Sequence, residues 1–443
     1  MSHWRLSDLA LGLLTTLAVL AAWEGFAINN RPETSGYGGD FSQFQTAGTI
    51  VARGEAARLY DQPYFRQFQQ WMREDPLCSL YPPTLGLVMA PLARLPYTAA
   101  LAVWWAIQAL CIIATGVIFY RTTPLPRLWR INMLMALAAL LPLWIAVGIG
   151  HLSPMLLLVL AGGLTWHRQG RPLLAGLLLS LLAVKPQLAA GLAVWMLLRR
   201  DWRTLAGLAA GGAVQVAAVA AVLGPRVWLD YLHALPVIAG ITRAYRYSPL
   251  FEQSFAGIAS NLAGAAGLAA LQIPAMKITY ALTAGAAAVL LCRVVWSRRP
   301  FGTVPLSLRE RAGVRGSVTR YIPSPPAPLP EGEGSYEYAC GVLFMTIFPP
   351  YFLVYDQTLL AVPLVMLWSS PQWRWGVALF AVTNVLTANL SFGLGFSLTG
   401  MVALAAMFTV AREARGVARM TRNIMTRNRI AGSQRLPEEP GIC

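Results

Sequence analysis

Long apolar runs separated by short polar punctuation dominate the chain. They fall at about Ser7–Ile28, Tyr97–Tyr120, Ile131–Gly148, Leu152–Trp166, Pro172–Val184, Pro186–Leu198, Leu205–Val222, Ile273–Trp296, Ala339–Val354, Thr358–Trp368, Trp375–Leu394 and Phe396–Val410. None alternates as a barrel strand does, and a segment in lipid must satisfy its backbone internally, so the runs predict helices. Several are shorter than the roughly 17 residues a span needs, so neighbouring runs can form one broken or tilted helix. The fold class expected is an all-α polytopic membrane protein with about twelve transmembrane helices and long external loops.

Two early stretches depart from this pattern. "ARGEAARLYDQPYFRQFQQWM" mixes acids and bases at helical spacing and predicts short amphipathic helices lying on the membrane surface. "YPPTLGLVMAPLARLP" (Tyr81 to Pro96) is apolar but bounded and cut by prolines, which predicts a re-entrant or interfacial helix.

Composition agrees with the membrane reading. Of 443 residues 56% are hydrophobic and only 12% charged, which excludes an ordinary soluble domain. The net charge of +16 is almost all arginine, Lys185 and Lys277 being the only lysines. Arginines gather in short connections (Arg121, Arg127 and Arg130; Arg168 and Arg171; Arg199, Arg200 and Arg203; Arg293, Arg298 and Arg299) and in the tail from Arg412 to Arg435. They read as cytoplasmic loops that orient the protein, and no nucleic-acid partner is needed to explain them. With Arg5 ahead of it, the first run reads as an uncleaved signal anchor, and both termini are expected in the cytoplasm. Cysteines at 78, 111, 292, 340 and 443 have no CxxC or zinc spacing, so neither a structural disulfide nor a metal site is expected.

Four regions follow. Residues 1–298 form a transmembrane module with external loops at 29–80 and 224–271. Residues 299–335, rich in proline, glycine and arginine, predict a disordered cytoplasmic insert; its pieces "PLSLRERAGVRG" and "PSPPAPLPEGEG" look like a translated repetitive DNA element. Residues 336–411 carry the C-terminal transmembrane helices, and 412–443 are a basic cytoplasmic tail.

Under this topology the outer face collects Asp40, Tyr60, Asp61, Tyr81, His151, Lys185, Arg243, Arg246, Glu252, Gln253, Tyr355, Asp356 and Gln357. Asp40, in "YGGDFSQFQTAG", is either a general base for a hydroxyl or the N-cap of the helix that follows. Lys185, in "LLAVKPQL", is an ionisable group among apolar residues; it either meets a phosphate at the membrane boundary or snorkels to headgroups. His151, in "GIGHLSPM", is a substrate contact or a helix-end histidine satisfied by backbone or lipid. Arg243 and Arg246, in "ITRAYRYSP", either clamp an anionic headgroup or sit among headgroups.

"GGDFSQFQTAGTIVARGEAARLYD", "YPPTLGLVMAPLARLP", "GHLSPMLLLVLAGGLTWHRQGRPLLAGLLLSLLAVKPQ", "EQSFAGIASNLAG" and "PPYFLVYDQTLLAVPLVML" occur in the order seen in glycosyltransferase family 87. The chain outside the insert and tail resembles these GT-C membrane mannosyltransferases. The resemblance implies a sugar donor, mannose foremost, carried on a polyprenyl phosphate. It implies a lipid or glycan acceptor met on the non-cytoplasmic face, and inversion at the anomeric carbon. It also implies a catalytic acid in the first external loop, the position of Asp40. The leaving phosphate would take cationic cover, with Lys185, His151, Arg243 and Arg246 as candidates, and Tyr81, Glu252, Gln253, Tyr355 and Asp356 would line the substrate site. No metal or other cofactor is implied, and the setting is the inner or cytoplasmic membrane. Where relatives often carry histidine in the late P-x-x-x-Y-D region, this chain reads "PPYFLVYDQTL", so any such role falls to Asp356 or Gln357 or is absent. The rival from another class is a multi-span transporter or lipid flippase, and a third reading is a non-catalytic scaffold or decayed paralogue; no internal repeat supports the transporter.

Overall fold

The computed structural model describes residues 39–69, 77–244, 255–297, 333–349 and 354–368, with Thr409. The run Ser7–Ile28, the insert through residue 332, the runs Trp375–Leu394 and Phe396–Val410, and the basic tail 412–443 lie outside the described residues. Among those described the chain is helical, with no strand.

The helices are α1 (Gly39–Ala52), α2 (Gln62–Gln67), α3 (Pro83–Met89), α4 (Tyr97–Thr122), α5 (Arg127–Ala138), α6 (Leu141–Gly148), α7 (Ser153–Arg168) and α8 (Pro172–Leu179). They continue as α9 (Pro186–Arg199), α10 (Trp202–Leu223), α11 (Arg226–Ala244), α12 (Phe255–Ala265), α13 (Gln272–Ser297), α14 (Glu333–Ile347) and α15 (Ala361–Trp368). Tighter 3₁₀ turns at Ser180–Val184 and Val354–Leu360 extend α8 and lead into α15. Three helical segments, Tyr97–Thr122, Trp202–Leu223 and Ala269–Trp296, are long and apolar enough to cross a membrane. A fourth crossing arises if α5 and α6 count as one span, bent by 53° at the break between them. Pro142 at the start of α6 lacks the amide that a continuous helix would need, and the Trp144 indole donates to the Ala138 carbonyl at 2.7 Å, satisfying the last turn of α5. The described residues therefore carry three or four candidate spans.

Small residues set the tightest crossing. A Cβ on Gly176 would lie 2.1 Å from the Thr204 carbonyl oxygen, and one on Gly207 would lie 2.2 Å from that of Leu173. Gly207 and Gly211 form a G-x-x-x-G repeat, so α8 and α10 approach backbone to backbone, as helices in lipid do when packing rather than water drives them together. One turn on, the Gln215 amide donates to the Ser180 carbonyl at 3.0 Å.

The helix that carries Asp40, just ahead of the stretch expected to form amphipathic surface helices, is itself a core element. In α1 Phe41, Ser42, Gln43, Phe44, Gln45, Thr46, Ala47, Gly48, Ile50 and Val51 are all buried. Gly48 makes this possible: α3 presses so close that a Cβ there would meet Met89 backbone at 2.6 Å. Phe41 and Phe44 pack against Tyr97, Trp104 and Tyr81, making α1 a core element. The proline-bounded stretch from Tyr81 to Pro96, expected as a re-entrant or interfacial helix, folds as the short helix α3 and a 3₁₀ turn at Leu92–Arg94. Asp61, one of the outer polar residues, caps α2 by accepting the Tyr64 amide at 3.2 Å.

At the arginine-rich end, α7, α14 and the α9–α10 connection are tied by charge. His167 hydrogen-bonds both Asp201 and Tyr338, Arg199 pairs with Glu337, and Asp201 caps α10 through the Thr204 amide at 3.1 Å. Burial pushes the Asp201 carboxyl up, but hydrogen bonds from His167 and Thr204 together outweigh it and bring the value down to about 2.

Candidate functional site

The connection between α6 and α7 is the centre of the opposite end. Gly150 holds φ at +68°, and a Cβ there would strike Phe41 Cβ at 2.6 Å, so glycine is required both for the turn and for the approach of α1. Three α4 side chains grip the carbonyls of this turn: Trp105 Nε1 to Val147 at 2.9 Å, Trp104 Nε1 to Gly150 at 2.7 Å, and Gln108 Nε2 to His151 at 2.6 Å. From the other side the Phe41 amide, in the first turn of α1 where no intrahelical partner exists, donates to the Ile149 carbonyl at 3.1 Å. His151 is thus held by its backbone from two helices.

Its ring is fully buried and joins a chain of polar groups. The Ser153 amide donates to Nδ1 at 3.1 Å, so Nδ1 is an acceptor and a neutral ring carries its proton on Nε2. Nε2 faces Tyr81 Oη at 3.2 Å and Asp40 Oδ2 at 4.0 Å. Burial first, and the nearby Lys185 ammonium second, hold the imidazole well below its ordinary value. The neutral ring therefore makes no ion pair with Asp40, and at 4.0 Å it makes no hydrogen bond with it either; the Nε2 proton faces Tyr81 Oη.

Beyond the ring, Ser153 Oγ lies 2.8 Å from Nδ1 and 3.5 Å from Asp356 Oδ1, which accepts Lys185 Nζ at 2.6 Å. Tyr355 covers this line: its ring stacks on His151 with centroids 3.8 Å apart, and Lys185 Nζ lies 5.0 Å from its centroid. Lys185 sits where the 3₁₀ turn after α8 gives way to α9, with Pro186 as the first residue of α9. Its side chain is 6% exposed and that of Asp356 4%, so the lysine forms a buried pair and does not snorkel. Asp40 occupies the first turn of α1, past the cap position, and its side chain is 17% exposed. It is the open end of the line.

Six of the residues singled out from sequence, Asp40, Tyr81, His151, Lys185, Tyr355 and Asp356, thus converge from five separate segments. Arg243 lies in the last turn of α11, while Arg246, Glu252 and Gln253 lie outside the described residues. Sequence reasoning passed over Gln43, Ser153, Trp104, Trp105 and Gln108. Gln108 alone carried a signal, a fully buried amide in the apolar run "WWAIQALC".

The chemistry available is a carboxylate at a partly open edge, backed by a neutral imidazole at 4.0 Å, with a buried Lys185–Asp356 pair beyond. That arrangement suits taking a proton from a hydroxyl while negative charge develops nearby. The family model for glycosyltransferase family 87 matches residues 80–308, which contain Tyr81, His151 and Lys185, while Asp40 and the Tyr355–Asp356 pair join them only in space. No curated protein and no solved structure gave a match. The matched segment spans more than half of the chain, and the chain belongs to glycosyltransferase family 87, a family of membrane glycosyltransferases.

Proposed function

We propose that the protein transfers a sugar, mannose by its family resemblance, from a polyprenyl-phosphate donor to a hydroxyl of a lipid or glycan, with inversion. Asp40 is the general base. The observation that carries this reading is the difference between the two carboxylates: the Asp40 side chain is partly exposed, whereas Asp356 is sealed against Lys185. In the step, the acceptor oxygen attacks the anomeric carbon as the bond to the phosphate oxygen breaks. The proton goes to Asp40 and the electron pair leaves on the lipid phosphate. His151 stands behind the Asp40 carboxylate at 4.0 Å as a neutral neighbour that leaves it free to take the proton. Lys185 supplies positive potential for the leaving phosphate, with Asp356 holding it in place. The arginine-rich opposite end supports a non-cytoplasmic site by the positive-inside rule, as expected for an enzyme of the inner or cytoplasmic membrane.

The test is transfer from radiolabelled polyprenyl-phosphomannose into a lipid extract of the host, by membranes carrying wild-type chain or Asp40→Asn. Wild-type should label a product and Asp40→Asn should lose at least about 100-fold, the usual worth of a positioned base. Equal labelling by both would remove Asp40 from the chemistry. Absence of transfer with any polyprenyl-phosphosugar would favour the transporter.

A further inference from the structure

One group beside the line has no use in the mechanism just given. Gln43 lies on the same face of α1 as Asp40, one turn further on, and is 5% exposed. Its amide nitrogen donates to Asp40 Oδ1 at 3.3 Å. A carboxylate accepts only from the NH₂ side of an amide, so this contact fixes which way the amide points. The carbonyl Oε1 is then turned away, and among the described residues it is buried with no hydrogen-bond partner. Gln43 also lines a small cavity with Phe44, Ser79, Tyr81, Pro82 and Leu85. Gln108 also has an unpartnered buried carbonyl, but it is fully enclosed and does not line this cavity.

An unpaired carbonyl buried at a site costs free energy until a donor arrives. The cavity has room for about one water-sized group, which a hydroxyl fills and a ring does not. Asp40 does not line the cavity, but the Gln43 nitrogen holds its carboxylate at 3.3 Å, so a hydroxyl taken by the Gln43 carbonyl lies beside the base.

We propose that Gln43 and this cavity form a hydroxyl subsite, and that the acceptor is a polyol with adjacent hydroxyls, such as a pyranoside, and not an isolated alcohol. This deepens the glycosyltransferase reading and rests on it for the word acceptor. Gln43 then has two tasks carried by its two ends: the nitrogen orients the base, and the oxygen pairs with the hydroxyl beside the one attacked. A site built to pair a hydroxyl rejects the analogue that lacks it, because the site's own buried group is left unpaired.

The experiment uses the full chain in detergent, with methyl α-mannoside and its monodeoxy analogues as probes. Binding is read by saturation-transfer NMR and transfer by radiolabel from polyprenyl-phosphomannose. In wild-type, removal of one particular hydroxyl should weaken binding about tenfold. In Gln43→Leu all the analogues should bind alike, and weakly. Gln43→Glu, which keeps an oxygen in the cavity but loses the donor to Asp40, should retain the discrimination while kcat falls. The same hydroxyl preference in wild-type and Gln43→Leu, with both equally folded by thermal unfolding, would overturn the subsite. So would failure of wild-type to bind any of the mannosides. Discrimination that depends on Gln43 without transfer from any polyprenyl-phosphosugar would keep the polyol subsite and sink the glycosyltransferase reading. Transfer without such discrimination would do the reverse.

Discussion

At the residue scale the Lys185–Asp356 pair matters most for stability. Both side chains are nearly sealed and 2.6 Å apart, so removing one strands the other. Lys185→Met should destabilise by about 3–5 kcal/mol, the usual cost of an uncompensated buried charge. Lys185→Met combined with Asp356→Leu should recover most of that, since apolar replacement of both partners is often neutral, yet transfer should stay lost. Thermal unfolding in detergent beside the label assay checks both halves; a double variant no more stable than the single would remove the pair from the account. An isolated lysine in an apolar run already marks an ionisable group that lipid disfavours, which is why Lys185 was legible. Its partner was not, because nothing local to "VYDQTL" ties it to position 185. Gln43 and Ser153 escaped for a plainer reason: polar residues of ordinary type near a helix start have no pattern of their own.

At the element scale, run lengths and prolines foretold most of the described helices, including the breaks before Pro172 and Pro186, whereas the run Ile131–Gly148, read as one, breaks at Pro142. The depth of α1 was not legible, because nothing in "GDFSQFQTAGTIVA" says that Gly48 lets α3 press against it and cover its polar residues. The α8–α10 crossing offers the sharpest check of how these elements meet. Gly207→Leu would place side-chain atoms inside the Leu173 backbone and should abolish a folded, monodisperse chain. Gly212→Leu, five residues along the same helix with nothing within 4 Å, should be tolerated. Size-exclusion profiles of the two proteins in detergent distinguish them, and equal profiles would mean that the close approach is not needed.

At the scale of the whole molecule, two polar clusters at opposite ends of α7 set two acid windows. The folded His151 imidazole titrates well below its ordinary 6.5, so below that pH the unfolded chain takes up a proton that the folded chain refuses. Stability should therefore be level above about pH 6.5 and fall beneath it by up to about 1.4 kcal/mol per unit. Asp201, depressed from 3.8 to about 2, contributes fully above 3.8 and loses its contribution only as pH falls towards 2. Thermal midpoints between pH 8 and 5 should accordingly slope in wild-type and flatten in His151→Gln. An unchanged slope in that variant would place the titration elsewhere.

The Lys185–Asp356 pair joins positions 171 residues apart. At ribosomal speeds of about 5–20 residues per second, the aspartate is made roughly ten to thirty seconds after the lysine. For that interval the nascent chain holds an ammonium group with no counter-ion at the edge of an unfinished bundle. The Val354–Leu360 turn thus acts as a keystone, and a ribosome stalled before residue 356 leaves a chain that cannot close its own site.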